Sequence, residues 1–457
     1  MATFALLLFF QCGKMRWRAR HAAMHRIPRL ASSTPEGTHA LAISNTRLLA
    51  RVASMTSANT NAQHGKANLA VIGAGWWSQG WHIPQISRNK DRCNLVAIVD
   101  SSPHPRSSLN PDLISLEELG AKYSCPVYSS IDDLLADNAV ASVVDGVIIC
   151  TPHSTHYQIG LQFLEYGTKR KSRTTNGKPL HILMEKPMTT CVEEAKRLHE
   201  LVTEYERRGD GMFLVNHSSN YREQAKIAKD MVASGKLGRI RLITATFASP
   251  LTWLFDSPAN KGWNKPDGSG KMLGNGFGWG QASHMLAWIY HVSGVTPIRV
   301  YCQMTHSEAT GADVSHSATI MCEDGAVFSL SGTSLLPGYE HSKPPVGKRI
   351  GIEIYGTEGT LIYCGDDQDS TSGCLQLRTS DASDAGQVEI IERKDLGFHF
   401  ENTETGGFGP ESLLEFVSVC EGGKPYVGAS SAVGLKAVQT IEAMYRSNAS
   451  GRAENIL

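Results

Sequence analysis

A glycine turn, a lysine and a histidine are the residues of this chain best suited to chemistry. Gly73-Ala74-Gly75 follows the apolar run Ala67–Ile72 and leads through Trp76, Trp77 and Ser78 into a helix-like stretch from Ile83. Gly73 permits a tight turn, and Gly75 lets backbone amides approach a pyrophosphate at a helix N-terminus. The third glycine of a dinucleotide fingerprint is replaced by Ser78. Asp100 ends a second apolar run 27 residues after Gly73, placed to accept hydrogen bonds from an adenosine ribose. An acid there favours NAD, although Ser101, Ser102 and Arg106 could accommodate the 2′-phosphate of NADP. Lys186, in Glu185-Lys186-Pro187, follows the apolar run after His181. A lysine fixed there by the next proline can point its ammonium at a substrate oxygen. His284 closes Gly276-Phe-Gly-Trp-Gly280-Gln281-Ala-Ser-His284, a glycine-rich stretch that feeds a helix, and is a candidate acid/base.

Around these groups lie indoles and polar side chains. Trp76, Trp77 and Trp81 crowd the glycine turn, while Trp253, Trp263 and Trp279 occupy the glycine-rich stretch, with Trp288 beyond it. Indole faces stack on the C–H faces of sugar rings and on aromatic substrates. Asn216, His217, Tyr221, Arg222 and Asp256 add groups that could orient hydroxyls.

The elements that must position them alternate. Helices are expected over 116–123, 131–137 and 156–166, a short strand at Val127, and a buried strand over 143–150 that ends in Thr151-Pro152-His153. The basic stretch 167–178 reads as a solvated loop. Later, an amphipathic helix over 225–234 precedes period-2 strands at 240–248, 326–334, 349–355 and 388–392. Such alternation suits a sheet with one face on helices. The first half therefore predicts an α/β Rossmann domain, a doubly wound parallel sheet over 67–190, followed by a second domain over 191–457.

Gly73-Ala-Gly75, Asp100, Thr151-Pro152 with His156, and Glu185-Lys186-Pro187, in this order over about 120 residues, resemble the glucose–fructose oxidoreductase/inositol dehydrogenase (Gfo/Idh/MocA) family. The resemblance continues through Asn216, Tyr221-Arg222, the segment around His284 and Gly356-Thr-Glu-Gly-Thr360. It implies an NAD- or NADP-dependent dehydrogenase or reductase acting on a CH–OH group of a sugar, polyol or related cyclic alcohol. In that reading Lys186 handles the hydroxyl proton with His284 assisting, and Glu185 lies on the cofactor ribose. Trp76, Trp77, Thr151, Pro152 and His156 join the glycines in the cofactor site; Asn216, Tyr221, Arg222, Trp263 and Gln281 line the substrate site. The second domain would be α+β, an open, mainly antiparallel mixed sheet with helices on one face, whose exposed face makes a homo-oligomer. Gly280 stands where the family carries an aspartate, which removes a proton-relay partner or a hydroxyl acceptor. Two other activities therefore stay open: a non-catalytic cofactor- and sugar-binding regulator, and an NAD-retaining lyase or hydrolase.

Composition bounds the partners. The 457 residues carry 44 Lys+Arg against 44 Asp+Glu, but nine of the basic residues and only Glu36 of the acids lie in 1–66. The rest is net acidic, so no basic face for nucleic acid is expected. The Arg-rich, acid-poor extension 1–66 has the composition of a transit peptide, giving a mitochondrial location if it is one and a cytoplasmic location otherwise. The apolar run near the N-terminus is too short for a membrane span. Ten cysteines without a C-x-x-C pair suit a reduced compartment and give no zinc spacing, so no metal is expected.

Overall fold

The computed structural model describes residues 65–457 apart from 108–109, 111, 174–176, 261–275, 339–345, 381–387, 394–395, 401–410 and 424–425. Trp263 and the extension before residue 65 lie outside the described residues.

Six strands form the first sheet: β1 (Ala67–Ile72), β2 (Cys93–Val99), β3 (Val127–Tyr128), β4 (Gly146–Ile149), β5 (His181–Glu185) and β6 (Phe213–Asn216). All are parallel, in the order β3-β2-β1-β4-β5-β6. This is the doubly wound Rossmann order, whose ligands bind beyond the carboxyl ends of the strands where the order reverses, between β1 and β4. β4 and β5 are buried at every position, which explains their unbroken apolar runs. Each buried Leu, Ile or Phe contributes roughly 1.5–3 kcal/mol. The sheet continues past residue 190, because β6 pairs with β5 from Ile182↔Phe213 to Glu185↔Asn216.

The crossovers are helices α1 (Ile83–Arg88), α2 (Leu116–Tyr123), α3 (Ile131–Ala136), α4 (Asn138–Ala141), α5 (His156–Arg173) and α6 (Val192–Arg207). Ser115 and Glu118 start α2 with a reciprocal capping box. The expected loop from 167 is corrected: α5 runs on to Arg173. Gly167 allows this, since a Cβ there would lie 2.1 Å from the Tyr205 hydroxyl on α6. Arg170 then donates to the carbonyls of Val144 and Ser142, so basic residues here anchor a helix as well as meeting solvent.

The second sheet has nine strands: β7 (Ile240–Ala248), β8 (Pro297–His306), β9 (Asp313–Cys322), β10 (Val327–Thr333), β11 (Arg349–Gly356), β12 (Gly359–Asp366), β13 (Asp369–Ser380), β14 (Val388–Glu392) and β15 (Glu454–Asn455). Their order is β14-β13-β12-β11-β7-β10-β9-β8-β15, antiparallel except where β7 meets β10. One face buries Ile243, Phe247, Ile320, Phe328, Ile352 and Leu361. Five further helices are α7 (Glu223–Ala233), α8 (Thr252–Phe255), α9 (Ser283–Ser293), α10 (Glu411–Cys420) and α11 (Ser431–Ser450), the last followed by β15. α11 lies against both sheets. It packs on β8, and Gly434 brings it so close to Met188 and Val215 that a Cβ would sit 3.1–3.2 Å from them.

Candidate active site

The site is built at the carboxyl ends of β1, β2, β4, β5 and β6. After β1, Gly73 has φ +97°, and a Cβ there would lie 2.5 Å from the Cys150 carbonyl at the end of β4. Gly75 differs: a Cβ on it would meet nothing within 4 Å. One glycine is thus required by the fold, whereas the other keeps the backbone bare toward open space. Ser78 takes the third glycine's place without disrupting the turn, because its buried hydroxyl donates to the Gly73 carbonyl at 2.5 Å. Asp100 accepts from the Ala74 amide at 2.7 Å and the Ser102 amide at 2.8 Å. Its carboxylate is fixed beside the turn, and each oxygen retains a lone pair for a ribose hydroxyl.

The turn runs into a π-helical segment, Ser78–His82, before α1. This segment carries Trp77 and His82 across to β5. Glu185 Oε1 accepts from His82 Nε2 (2.7 Å), Asn216 Nδ2 (2.7 Å) and Trp77 Nε1 (3.0 Å), while Oε2 accepts from the Lys186 amide (3.1 Å). Burial alone would raise the Glu185 pKa. The His82 hydrogen bond and charge, then Lys186 and Asn216, outweigh that and bring it down to about 2. Trp81 stacks on Trp77, with ring centroids 5.8 Å apart, and Trp76 meets Trp77 edge-on at 5.3 Å. Glu185 therefore organises the floor of the site.

Lys186 Nζ donates to the Gly280 carbonyl at 2.8 Å, and the Lys186–Pro187 peptide is cis. Gly280 lies in a second π-helical turn, Gly278–Ala282, which leads into α9 and His284. Such turns recur at functional sites. Asp313 on β9 fixes this one by accepting from the Gly278 amide (2.8 Å) and the Tyr445 hydroxyl (2.5 Å). Burial raises the Asp313 pKa, with those two hydrogen bonds opposing. Gly276 is small for the same reason: a Cβ there would fall 1.5 Å from Asp313 Oδ1. His284 is buried, with its ring edge-on to His217 at 5.9 Å between centroids.

Lys186, Glu185, Asn216, His217, Gln281 and His284 thus lie where the ends of β5 and β6 meet the π-helical turn before α9. His156 ties together the loops beneath them, with Nδ1 2.9 Å from the Pro187 carbonyl and Nε2 3.0 Å from the Thr151 carbonyl. Thr151 lies beside the glycine turn, its Cγ2 3.0 Å from where a Gly73 Cβ would sit. Two expected substrate residues are instead committed to the fold. Tyr221 is fully buried and its hydroxyl donates to the Val215 carbonyl, while Arg222 is buried in an ion pair with Glu411. Trp279 and Trp288 stack on Tyr445 and Tyr363 inside the core, so their indoles serve packing. His82, Asp313 and Tyr445 were not singled out in the sequence. Only a polar histidine between Trp81 and Ile83 offered a signal for the first, and nothing local marked the other two.

Comparison with known proteins agrees with this arrangement. Residues 67–209 match the model of the oxidoreductase family with an NAD-binding Rossmann fold, and residues 226–362 match the GFO/IDH/MocA C-terminal domain. The chain belongs to the Gfo/Idh/MocA family. An uncharacterised oxidoreductase of Synechocystis is 24% identical over 308 residues, covering 65% of this chain and 71% of that protein. An NADP-dependent D-xylose 1-dehydrogenase of Haloarcula marismortui is 23% identical over 189 residues, 41% of this chain and 45% of that enzyme. The fold is shared with the WlbA dehydrogenase of Bordetella pertussis, solved with NADH and UDP-GlcNAcA (TM-score 0.59, 21% identity, 86% of this chain and 99% of that one).

As a Gfo/Idh/MocA protein the chain is a nicotinamide-dependent oxidoreductase. The bare backbone at Gly75 and the fixed carboxylate of Asp100 fit the cofactor, with Thr151 next to the same turn. When bound, a nicotinamide exchanges a hydride with the substrate carbon. Among the described residues, no cluster of three His, Cys, Asp or Glu side chains is arranged to hold a metal, and no helix is long and apolar enough to cross a membrane.

The two glycines separate experimentally. Gly73→Ala is expected to lower the melting temperature sharply, through its φ and its clash with Cys150. Gly75→Ala is expected to keep the wild-type melting temperature but weaken NADH binding about tenfold or more, equivalent to about 1.4 kcal/mol. Thermal melts and NADH fluorescence titrations check both. Equal melting losses in the two variants would refute this division of roles.

Proposed function

We propose that the protein oxidises, or in reverse reduces, a CH–OH group of a sugar, polyol or related cyclic alcohol. Lys186 takes the hydroxyl proton, His284 assists, and NAD is preferred because Asp100 lies beside the turn. The observation that carries this reading is Lys186 just after β5, with Nζ hydrogen-bonded to the Gly280 carbonyl in the turn that leads to His284, and next to Glu185, which holds Asn216. A lysine between a cofactor cradle and buried polar groups supplies the base that alcohol oxidation needs. The D-xylose and UDP-GlcNAcA named for its relatives support a carbohydrate substrate. Incubation with NAD or NADP and a panel of free sugars, cyclitols and nucleotide-linked sugars, followed at the nicotinamide absorbance, should show turnover of at least one class. Binding of NADH without turnover of any panel member, in either direction, would reject the reading.

We also infer that the nine-stranded sheet makes a homo-oligomer through its outer face. Tyr355, Leu242, Val327 and Met321 are consecutive partners across β11, β7, β10 and β9. Leu242, Val327 and Met321 are 38%, 37% and 50% exposed. A continuous exposed apolar row in the middle of a sheet suits a covered interface. Light scattering should give at least a dimer, and Leu242→Glu with Met321→Lys should give a monomer. A monomeric wild type at micromolar concentration would contradict it.

A further inference from the structure

His217 follows the last residue of β6 and is fully buried beside the site. Its ring meets His284 edge-on, and Lys186 and Glu185 are near enough to act on its charge. Among the described residues, neither of its ring nitrogens has a hydrogen-bond partner. Two neighbours share this feature. Asn216 gives its Nδ2 to Glu185 but leaves Oδ1 without a partner, and Gln281 Oε1, beside the carbonyl that holds Lys186, also lacks one. A buried polar atom without a partner is costly, and such atoms in a native fold call for an explanation. Here they come from two segments, β6 and the π-helical turn before α9, that the Lys186–Gly280 hydrogen bond joins.

We propose that His217 is a substrate-binding residue that hydrogen-bonds a hydroxyl group next to the carbon whose hydroxyl Lys186 serves. This rests on the oxidoreductase reading above and narrows its substrate. Burial, reinforced by His284 and Lys186, lowers the His217 pKa well below the ordinary histidine value, with Glu185 opposing. The ring is then neutral, with one N–H to donate and one lone pair to accept. A hydroxyl matches either nitrogen because it both donates and accepts. A carboxylate or phosphate can use only the N–H, whereas a hydroxyl can use either nitrogen. The two-way match favours a hydroxyl at this position, on a neighbouring diol or polyol carbon.

The test uses the full chain with His217→Phe, which keeps the ring and removes both nitrogens, and His217→Gln, which keeps a donor and an acceptor. Both are first measured for NADH affinity, expected within about twofold of wild type, and for thermal stability. With a sugar or cyclitol that the wild type oxidises, His217→Phe should raise KM at least tenfold, and His217→Gln should recover part of that loss. Removal of the neighbouring hydroxyl from the substrate should cost the wild type far more than it costs His217→Phe. Wild-type kinetics in His217→Phe, within threefold, overturn the proposal and leave the oxidoreductase reading standing. If no panel member is oxidised, that reading fails, and His217 is judged by a crystal of the NADH complex soaked in myo-inositol. A ligand hydroxyl within hydrogen-bond distance of either ring nitrogen supports the assignment, and its absence there overturns it.

Discussion

Lys186→Met is expected to bind NADH as tightly as wild type and to turn over its alcohol substrate about 10² to 10⁴-fold more slowly, the usual range for a lost general base. The variant keeps the Lys186 backbone amide that bonds Glu185, but it removes an ammonium that helps to lower the Glu185 pKa. The cluster's hydrogen bonds therefore stay while its carboxyl titrates higher. The variant loses the hydrogen bond to Gly280, a matter of about 1 kcal/mol, so its melting temperature should move by a few degrees at most. Loss of kcat with retained cofactor affinity separates a proton-handling group from a structural one. Turnover preserved in Lys186→Met would remove lysine from the chemistry and turn attention to His284.

The second large effect is expected at Glu185, and it concerns stability. Glu185→Leu strips the acceptor from Trp77, His82 and Asn216 together. Removing one side of a buried charged cluster costs about 3–5 kcal/mol, so the variant should melt far lower or fail to accumulate. Glu185→Gln keeps the shape and one acceptor and should be intermediate. The pH dependence has a definite sign. The folded pKa, about 2, lies below the ordinary 4.5, so the carboxylate's contribution is complete above pH 4.5 and is lost as pH falls toward 2. The contribution is on the order of 3 kcal/mol. Denaturant melts of wild type between pH 6 and 3 should show this loss, and the same series on Glu185→Gln should be flatter. Parallel pH dependence in the two proteins would show that Glu185 is not the titrating group.

The first five strands were readable in the sequence because a parallel strand covered on both faces must be apolar throughout. Val143–Cys150 and the run after His181 declare themselves that way. β6, by contrast, lay beyond the expected boundary at 190 and was missed. The second sheet was only partly readable. β7 and β14 matched their expected bounds, but β8, β9, β12 and β13 went unrecognised. On β9 Asp313, Val314, His316, Ala318, Ile320 and Cys322 are buried, with Ser315, Ser317, Thr319 and Met321 between the last five; a buried Asp and His and an exposed Met leave no clean period. β13 buries Leu375, Leu377 and Thr379 on its inner face, but Gln376 on the opposite face is buried too, which blurs the alternation. In the site, motif residues were legible because chemistry restricts their types: Gly73, Gly75, Asp100, Glu185 and Lys186 all stand at strand ends. Tyr221 and Arg222 were placed near a ligand by resemblance, while their burial against Val215 and Glu411 depends on long-range packing. Asp313 and Tyr445 shape the His284 turn from more than 30 and 150 residues away, a separation that no local pattern records.

The hydrogen bond from Lys186 to Gly280 also bears on direction. A neutral primary amine has two hydrogens and one lone pair, and once a carbonyl holds a hydrogen the nitrogen is no longer free to spin through all orientations. The lone pair is confined to the arc left over, so the carbonyl of a residue with no side chain decides from which side a proton can arrive. That constraint belongs to the backbone, and substitution at position 280 that preserved the turn would leave it in force.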